Sequence, residues 1–159
     1  MKQIMSVLVE NHSGVLARIA GLFARRGFNI VSLAVGETMD PTASRMTIVV
    51  DGDAQMIEQV EKHLNKQVDV VKVRTLETEA STRRELTLVK VNATPQIRWQ
   101  ISDIVAIMKA EIIDLSPTTM TVMIADRPDK VQQLMTMLEP YGIVDIARTG
   151  TIALPKGAG

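Results

Sequence analysis

The chain has 159 residues, 46% of them hydrophobic, and so holds enough apolar material for a core in one domain or in two small ones. Lys+Arg and Asp+Glu are equal at 18 each, which leaves no basic surplus to drive sequence-independent binding to nucleic acid or to an acidic membrane. Cysteine is absent, which excludes disulfides, thiolate-held iron–sulfur clusters and zinc ribbons and makes the reducing cytoplasm the expected compartment.

Residues 3 to 9 are almost all apolar and β-favouring and predict a buried strand. No cleavage-type segment precedes them and no stretch nears the roughly 20 apolar residues of a membrane helix, so a chain neither exported nor spanning is expected. A helix follows, with Val15, Leu16, Ile19, Ala20, Leu22 and Phe23 on one apolar stripe, Ser13 able to accept from its first free N–H groups, and Gly27 at a left-handed C-terminal cap. Phe28 to Gly36 and Ser44 to Asp51 read as a hairpin around the polar turn Asp40-Pro41-Thr42. From Asp53 a second helix carries Met56, Ile57, Val60 and Leu64 inward, and the run from Val68 to Val73 forms a fourth strand.

Between Leu76 and Arg84 the pattern lapses into polar residues, and then the same order recurs. Leu86 to Val91 is a strand. Thr94-Pro95 opens a helix with Ile97, Ile101, Ile104, Val105 and Met108 on one face. Ile112 to Leu115 pairs with Thr119 to Ala125 around Ser116-Pro117. Asp126 and Pro128 start a last helix, and Ile143 to Ala147 closes the unit. The expected fold is α+β: two tandem ferredoxin-like βαββαβ units, each an antiparallel four-stranded sheet with both helices on one face. The expected boundaries are 1–76 for the first unit, 77–83 for a linker and 84–159 for the second, with a tail frayed from about residue 154. Val- and Ile-rich strands left open on one face and edge call for a partner, most simply a second copy of the chain, a homodimer.

Within this frame the segment Asn11-His12-Ser13-Gly14-Val15-Leu16 lies between the first strand and the first helix, and Asn29-Ile30 follows that helix. A free amino acid is a zwitterion whose carboxylate needs N–H donors and whose ammonium needs carbonyl oxygens. Two neutral amides, Asn11 and Asn29, supply both without adding charge. The N–H groups near Gly14, Val15 and Leu16 begin a helix, have no partner inside it and carry the positive end of its dipole, a seat for the carboxylate. An Asx-turn and cap is the plain reading of Asn-x-x-Gly alone, and Asn29 on the far side of the same helix favours a pocket; Gly14 can both permit a positive φ and, lacking a Cβ, let a ligand carboxylate approach the backbone.

The string from Ser6 to Asn11, with Gly14-Val15-Leu16, Arg18-Ile19, Leu22-Phe23, Arg26-Gly27, Asn29-Ile30 and Ser32-Leu33, closely resembles the amino-acid-binding ACT domain of the acetolactate (acetohydroxyacid) synthase small-subunit family. Asp40-Pro41-Thr42, Ser44 to Ile48, Ile57 to Lys62 and Val68-Asp69-Val70 continue the likeness, and Glu85-Leu86, Leu88 to Val91, Ile113-Asp114 and Ile146 to Gly150 resemble that family's C-terminal domain. The resemblance implies a regulatory subunit without catalytic residues. Such a subunit binds the thiamine-diphosphate-dependent large catalytic subunit, raises its activity and confers feedback inhibition by valine in branched-chain amino-acid synthesis. It further implies effector contacts by Asn11, Gly14, Val15, Leu16, Asn29 and Ile30 at an ACT dimer interface. No cofactor or metal is expected in this chain, thiamine diphosphate, Mg and FAD belonging to the catalytic partner. Arg45, Arg18 and Arg26 are candidate contacts to that large subunit.

Other function classes fare worse. An RNA-recognition fold shares the βαββαβ order but works by stacking bases on aromatics, which make up 3% of this chain. His12 lacks the orienting carboxylate and nucleophile of a catalytic histidine in its local sequence and reads as a solvated loop residue, and His12 with His63 makes no metal signature. The ten methionines fall mostly on apolar stripes and read as core filler. Valine, leucine and isoleucine differ too little for the sequence to separate them.

Overall fold

The computed structural model describes residues 1–158. The chain divides into two compact units, the first formed by Met1–Thr82 together with the residues from Thr151 on, the second by Arg83–Gly150.

The first unit runs β1 (Lys2–Glu10), α1 (Val15–Arg25), β2 (Ile30–Glu37), β3 (Ala43–Asp51), α2 (Ala54–Asn65) and β4 (Val70–Leu76). Its strands lie in the order β2-β3-β1-β4, every neighbouring pair antiparallel. Alternation along β1 and β3 sends Met5, Val7, Val9, Met46, Ile48 and Val50 to one face. There they meet the 3.6-period stripes of the helices, Val15, Ile19, Leu22 and Phe23 from α1 and Ile57, Val60 and Leu64 from α2. Gly27, at φ +70°, ends α1: its N–H donates to Ala24 O at 3.2 Å and that of Phe28 to Phe23 O at 3.0 Å. The Phe23 and Phe28 rings then meet edge to face at 6.2 Å, the hydrophobic contact that accompanies such a cap. Asp53 caps α2 by accepting from the Met56 N–H at 2.8 Å.

The second unit repeats the order with β5 (Ser81–Asn92), α3 (Arg98–Ile107), β6 (Glu111–Leu115), β7 (Thr119–Asp126), α4 (Pro128–Leu138), a single 3-10 turn over Glu139–Tyr141, and β8 (Ile143–Arg148). Its strand order, β6-β7-β5-β8, reproduces the first. Val89, Val91, Met120, Val122 and Ile124 face Ile101, Val105, Val131, Leu134 and Leu138 in its core. Pro128 stands at the first position of α4 as expected. Pro95 does not open α3: Thr94 O accepts from the N–H groups of Ile97 and Arg98, a turn forms, and the helix begins at Arg98.

The segments that flank the second unit depart from the sequence expectation. The stretch read as a linker over 77–83 is shorter, because β5 begins at Ser81. The tail expected to fray from about 154 contains β9 (Ile152–Pro155), which pairs with β5 and makes that sheet five-stranded; beyond it the Lys156 N–H donates to Ala80 O at 2.8 Å. Ala153 packs against Ile4, Val49 and Leu76 on the helix-free face of the first sheet, all four buried. Part of the face expected to stay open is thus covered by the chain's own tail. Among the described residues no helix is long and apolar enough to cross a membrane.

Candidate effector site

Asn11 follows β1 directly and is tied to the β2–β3 hairpin by three hydrogen bonds. Its main-chain N–H donates to Thr42 O at 2.8 Å; its side-chain Nδ2 donates to Pro41 O at 3.0 Å and to Glu37 Oε1 at 3.3 Å. The hairpin is itself braced, since Asp40 Oδ1 accepts from the N–H and hydroxyl of Thr42 at 2.9 and 2.7 Å, bonds that hold the Asp40 carboxyl below its usual range.

Gly14, at φ +87° and ψ −12°, is the N-cap of α1, and no side chain caps the helix. Ser13 therefore does not accept as expected: the left-handed turn at Gly14 carries the chain into the helix without it. The first main-chain bonds are long or late, Val15 N–H to His12 O at 3.5 Å and Arg18 N–H to Gly14 O at 3.0 Å. The N–H groups of Leu16 and Ala17 lie in the first turn, where no helix carbonyl can reach them. Val15 is buried in the core and can offer a ligand its main chain only, while the Leu16 side chain is half exposed.

An ion-pair network flanks this entrance. Asp69, buried just before β4, takes Arg18 Nε at 2.7 Å on one oxygen and His12 Nε2 at 3.0 Å on the other; His12 Nε2 also lies 3.2 Å from Glu10 Oε2. The Arg18 hydrogen bond, with the Arg18 and His12 charges behind it, holds the Asp69 carboxyl below its usual range against the opposing effect of burial. His12 is thus engaged by two carboxylates, not merely solvated. Glu10, His12 and Asp69 place ligand atoms within 4.8 Å of one another, but the guanidinium bound to Asp69 already supplies the cation there, and a metal would be repelled by it.

Asn29 and Ile30 sit elsewhere. The Asp51 N–H donates to Asn29 O at 3.4 Å, and Ile30 pairs with Val50 while packing on the core. In the β1–β3 register Asp51 lies opposite Lys2, whereas Ala43, beside the Asn11 turn, lies opposite Glu10. Eight strand residues, about 26 Å, separate the two ends. Of the predicted contacts, Asn11, Gly14, Val15 and Leu16 therefore lie at one end of the sheet and Asn29 with Ile30 at the other; the two amides that flank α1 in sequence do not meet within one chain.

The three arginines are also dispersed. Arg18 is bound to Asp69 at the entrance of α1, exposed Arg26 caps its exit, and Arg45 reaches across the helix-free sheet face, where its Nη1 donates to Ser6 Oγ at 2.6 Å. They share no single patch. Sequence reading assigned Asp69 and Pro41 no part in the site and did not single out Glu37; the one signal was an acid inside the apolar run Val68 to Val73, a place where a carboxylate is rarely buried without a partner.

Residues 5–72 match the AHAS small subunit-like ACT domain, and residues 84–157 match the family described as the small subunit of acetolactate synthase. A probable acetolactate synthase small subunit from Archaeoglobus fulgidus is 47% identical over 157 residues, covering 99% of this chain and 98% of that one. The acetolactate synthase isozyme 3 small subunit of Salmonella typhimurium is 44% identical, covering 99% and 97%. The crystal structure of the acetolactate synthase small subunit from Thermotoga maritima superposes with a TM-score of 0.90 at 38% identity, over 100% of this chain and 99% of that one. With two βαββαβ units in the expected order and both halves matched, the chain belongs to the acetolactate synthase small-subunit family, its first unit an ACT domain.

Proposed function

We propose that this chain is the non-catalytic regulatory subunit of a cytoplasmic acetolactate synthase. It binds valine between the ACT units of two copies, activates the large catalytic subunit and makes that partner subject to feedback inhibition in valine, leucine and isoleucine synthesis. Thiamine diphosphate, Mg and FAD belong to the partner in this reading.

The observation that carries the reading is the separation of the half-sites along an unpaired edge. β2 is the outer strand of its sheet, with Val31 and Val35 exposed. Asn29 stands at one end of β2, and Glu37, bonded to Asn11, at the other. Antiparallel pairing of two β2 edges about a two-fold axis brings Asn29-Ile30 of one copy to the Asn11–Leu16 loop of its partner and creates two equivalent seats. The carboxylate of valine then meets the free N–H groups of α1 and the amides take its ammonium. A ligand lying across this seam favours one geometry of the pair, and a preference of that kind couples to a distant site by typically ~1–3 kcal/mol.

The test is complementation. Asn11→Ala and Asn29→Ala are each expected to abolish the heat of valine binding. Co-refolded in equal amounts they form mixed pairs in which one of two seats is intact, so roughly a quarter of the wild-type sites return. No recovery at any mixing ratio, or full binding by either variant alone, refutes a seat shared between copies.

A further inference from the structure

Asn11 has a carboxamide whose two ends do opposite work: the NH2 group donates and the oxygen accepts. Which end faces a ligand is decided by what the other end touches. Here both neighbours of Nδ2 are groups that can only accept, the carboxylate of Glu37 at 3.3 Å and the carbonyl of Pro41 at 3.0 Å. A flipped amide would set its oxygen against a carboxylate and a carbonyl, which is repulsive on both counts. Among the described residues none donates to Asn11 Oδ1.

We infer that Glu37 is a positioning residue for effector recognition: with Pro41 O it fixes the Asn11 carboxamide so that Oδ1 is presented to the ligand's ammonium, making the site selective for α-amino acids over the corresponding carboxylic acids. This rests on the effector reading above and assigns Glu37 a part in it. Pro41 contributes through its main chain, and Thr42 O holds the Asn11 backbone at 2.8 Å, so the carboxamide is anchored from both sides. Glu37 itself is exposed and outside both sheet cores, so its replacement removes the orienting acceptor without opening a cavity.

The replacement Glu37→Gln keeps shape and adds an NH2 group that can donate to Asn11 Oδ1, which removes one of the two repulsions against the flipped amide and leaves Pro41 O alone to oppose it. Full-length wild type, Glu37→Gln and Glu37→Asp are titrated calorimetrically with valine and with 3-methylbutanoate, its des-amino analogue. In wild type valine is expected to bind and the acid to bind far more weakly. In Glu37→Gln valine affinity falls by up to roughly tenfold, the scale reached when the hydrogen bond to a charged group is lost outright, and the preference over the acid shrinks by a similar factor. Glu37→Asp, still acceptor-only, retains most of the preference. In effector-free protein the Asn11 side-chain NH2 resonances are expected to exchange slowly with water in wild type and faster in Glu37→Gln, a readout independent of any ligand. Unchanged selectivity in Glu37→Gln, with wild type binding valine, overturns the inference alone. A wild-type chain that takes up no branched-chain amino acid overturns the effector reading, and the recognition half of the inference with it.

Discussion

Gly14 gives direct access to the seat assigned to the effector's carboxylate. Its φ of +87° is a conformation that costs an L-residue roughly 1–2 kcal/mol, and an added Cβ would stand 3.0 Å from Arg18 Nη1. That nitrogen ends a flexible arm, but the arm's Nε is held at 2.7 Å by buried Asp69, so it yields only by loosening the pair. Gly14→Ala is therefore expected to lower stability by about 1–2 kcal/mol, read as a shift in the urea midpoint, while leaving the helix N–H donors unobstructed. Gly14→Asp sets a carboxylate at those donors as well. Two like unit charges 4 Å apart repel by ~1 kcal/mol in water and by ~4 kcal/mol at an effective dielectric constant of about 20. The loop is exposed and Arg18 is near, which favours the lower half of that range. Valine affinity is then expected to fall by about 5- to 70-fold beyond the effect of Gly14→Ala. Calorimetric titration of wild type and both variants measures it, with valine inhibition of the assembled synthase as a second readout. Equal valine affinity in the Ala and Asp variants refutes a carboxylate seat at the helix entrance.

Three further outcomes are expected. Because the Arg18 hydrogen bond holds the Asp69 carboxyl below its usual range, its contribution to stability is fully present above the unfolded-chain value of about 3.9 and is lost as pH falls through the lower folded value. Asp69→Asn is expected to lower Tm at neutral pH and to flatten its decline below about pH 4, and an acid profile parallel to wild type would count against the pairing. Ala153→Asp sets a carboxylate among Ile4, Val49 and Leu76 and is expected to cost at least ~2 kcal/mol; an unchanged urea midpoint would show that the tail does not dock there. Phe23→Ala empties a fully buried site that also meets Phe28, with an expected loss of about 3–5 kcal/mol in chemical denaturation, and a loss under about 1 kcal/mol would mean the α1 core collapses around the gap.

The candidate site was legible in its parts and not in its assembly. The neutral amides and the glycine at the helix entrance follow from local chemistry, and the structure places each where the chain order demands; that Ser13 leaves the first N–H groups uncapped does not. Their grouping does not follow. Asn11 and Asn29 flank one helix and look adjacent on paper, yet α1 carries the chain back along strands that span about 26 Å, which leaves them at opposite ends of the sheet. Arg18 and Asp69 are 51 residues apart and meet only because β4 is antiparallel to β1 beside the α1 entrance.

By itself the sequence determined the order of the repeated elements, the two cores, the exit of α1 and the starts of α2 and α4. Strand alternation, the 3.6-residue stripe, Gly27 past α1 and Asp53 before α2 act over a few residues and leave their mark in the local pattern. Only the tertiary structure decided that the C-terminal residues return to cover Ile4, that Asp69 takes Arg18, and that Glu37 and Pro41 fix the Asn11 amide. Those contacts depend on strand register and on which distant segments pack side by side, quantities set by the whole chain's burial and hydrogen bonding and by no local run of residues.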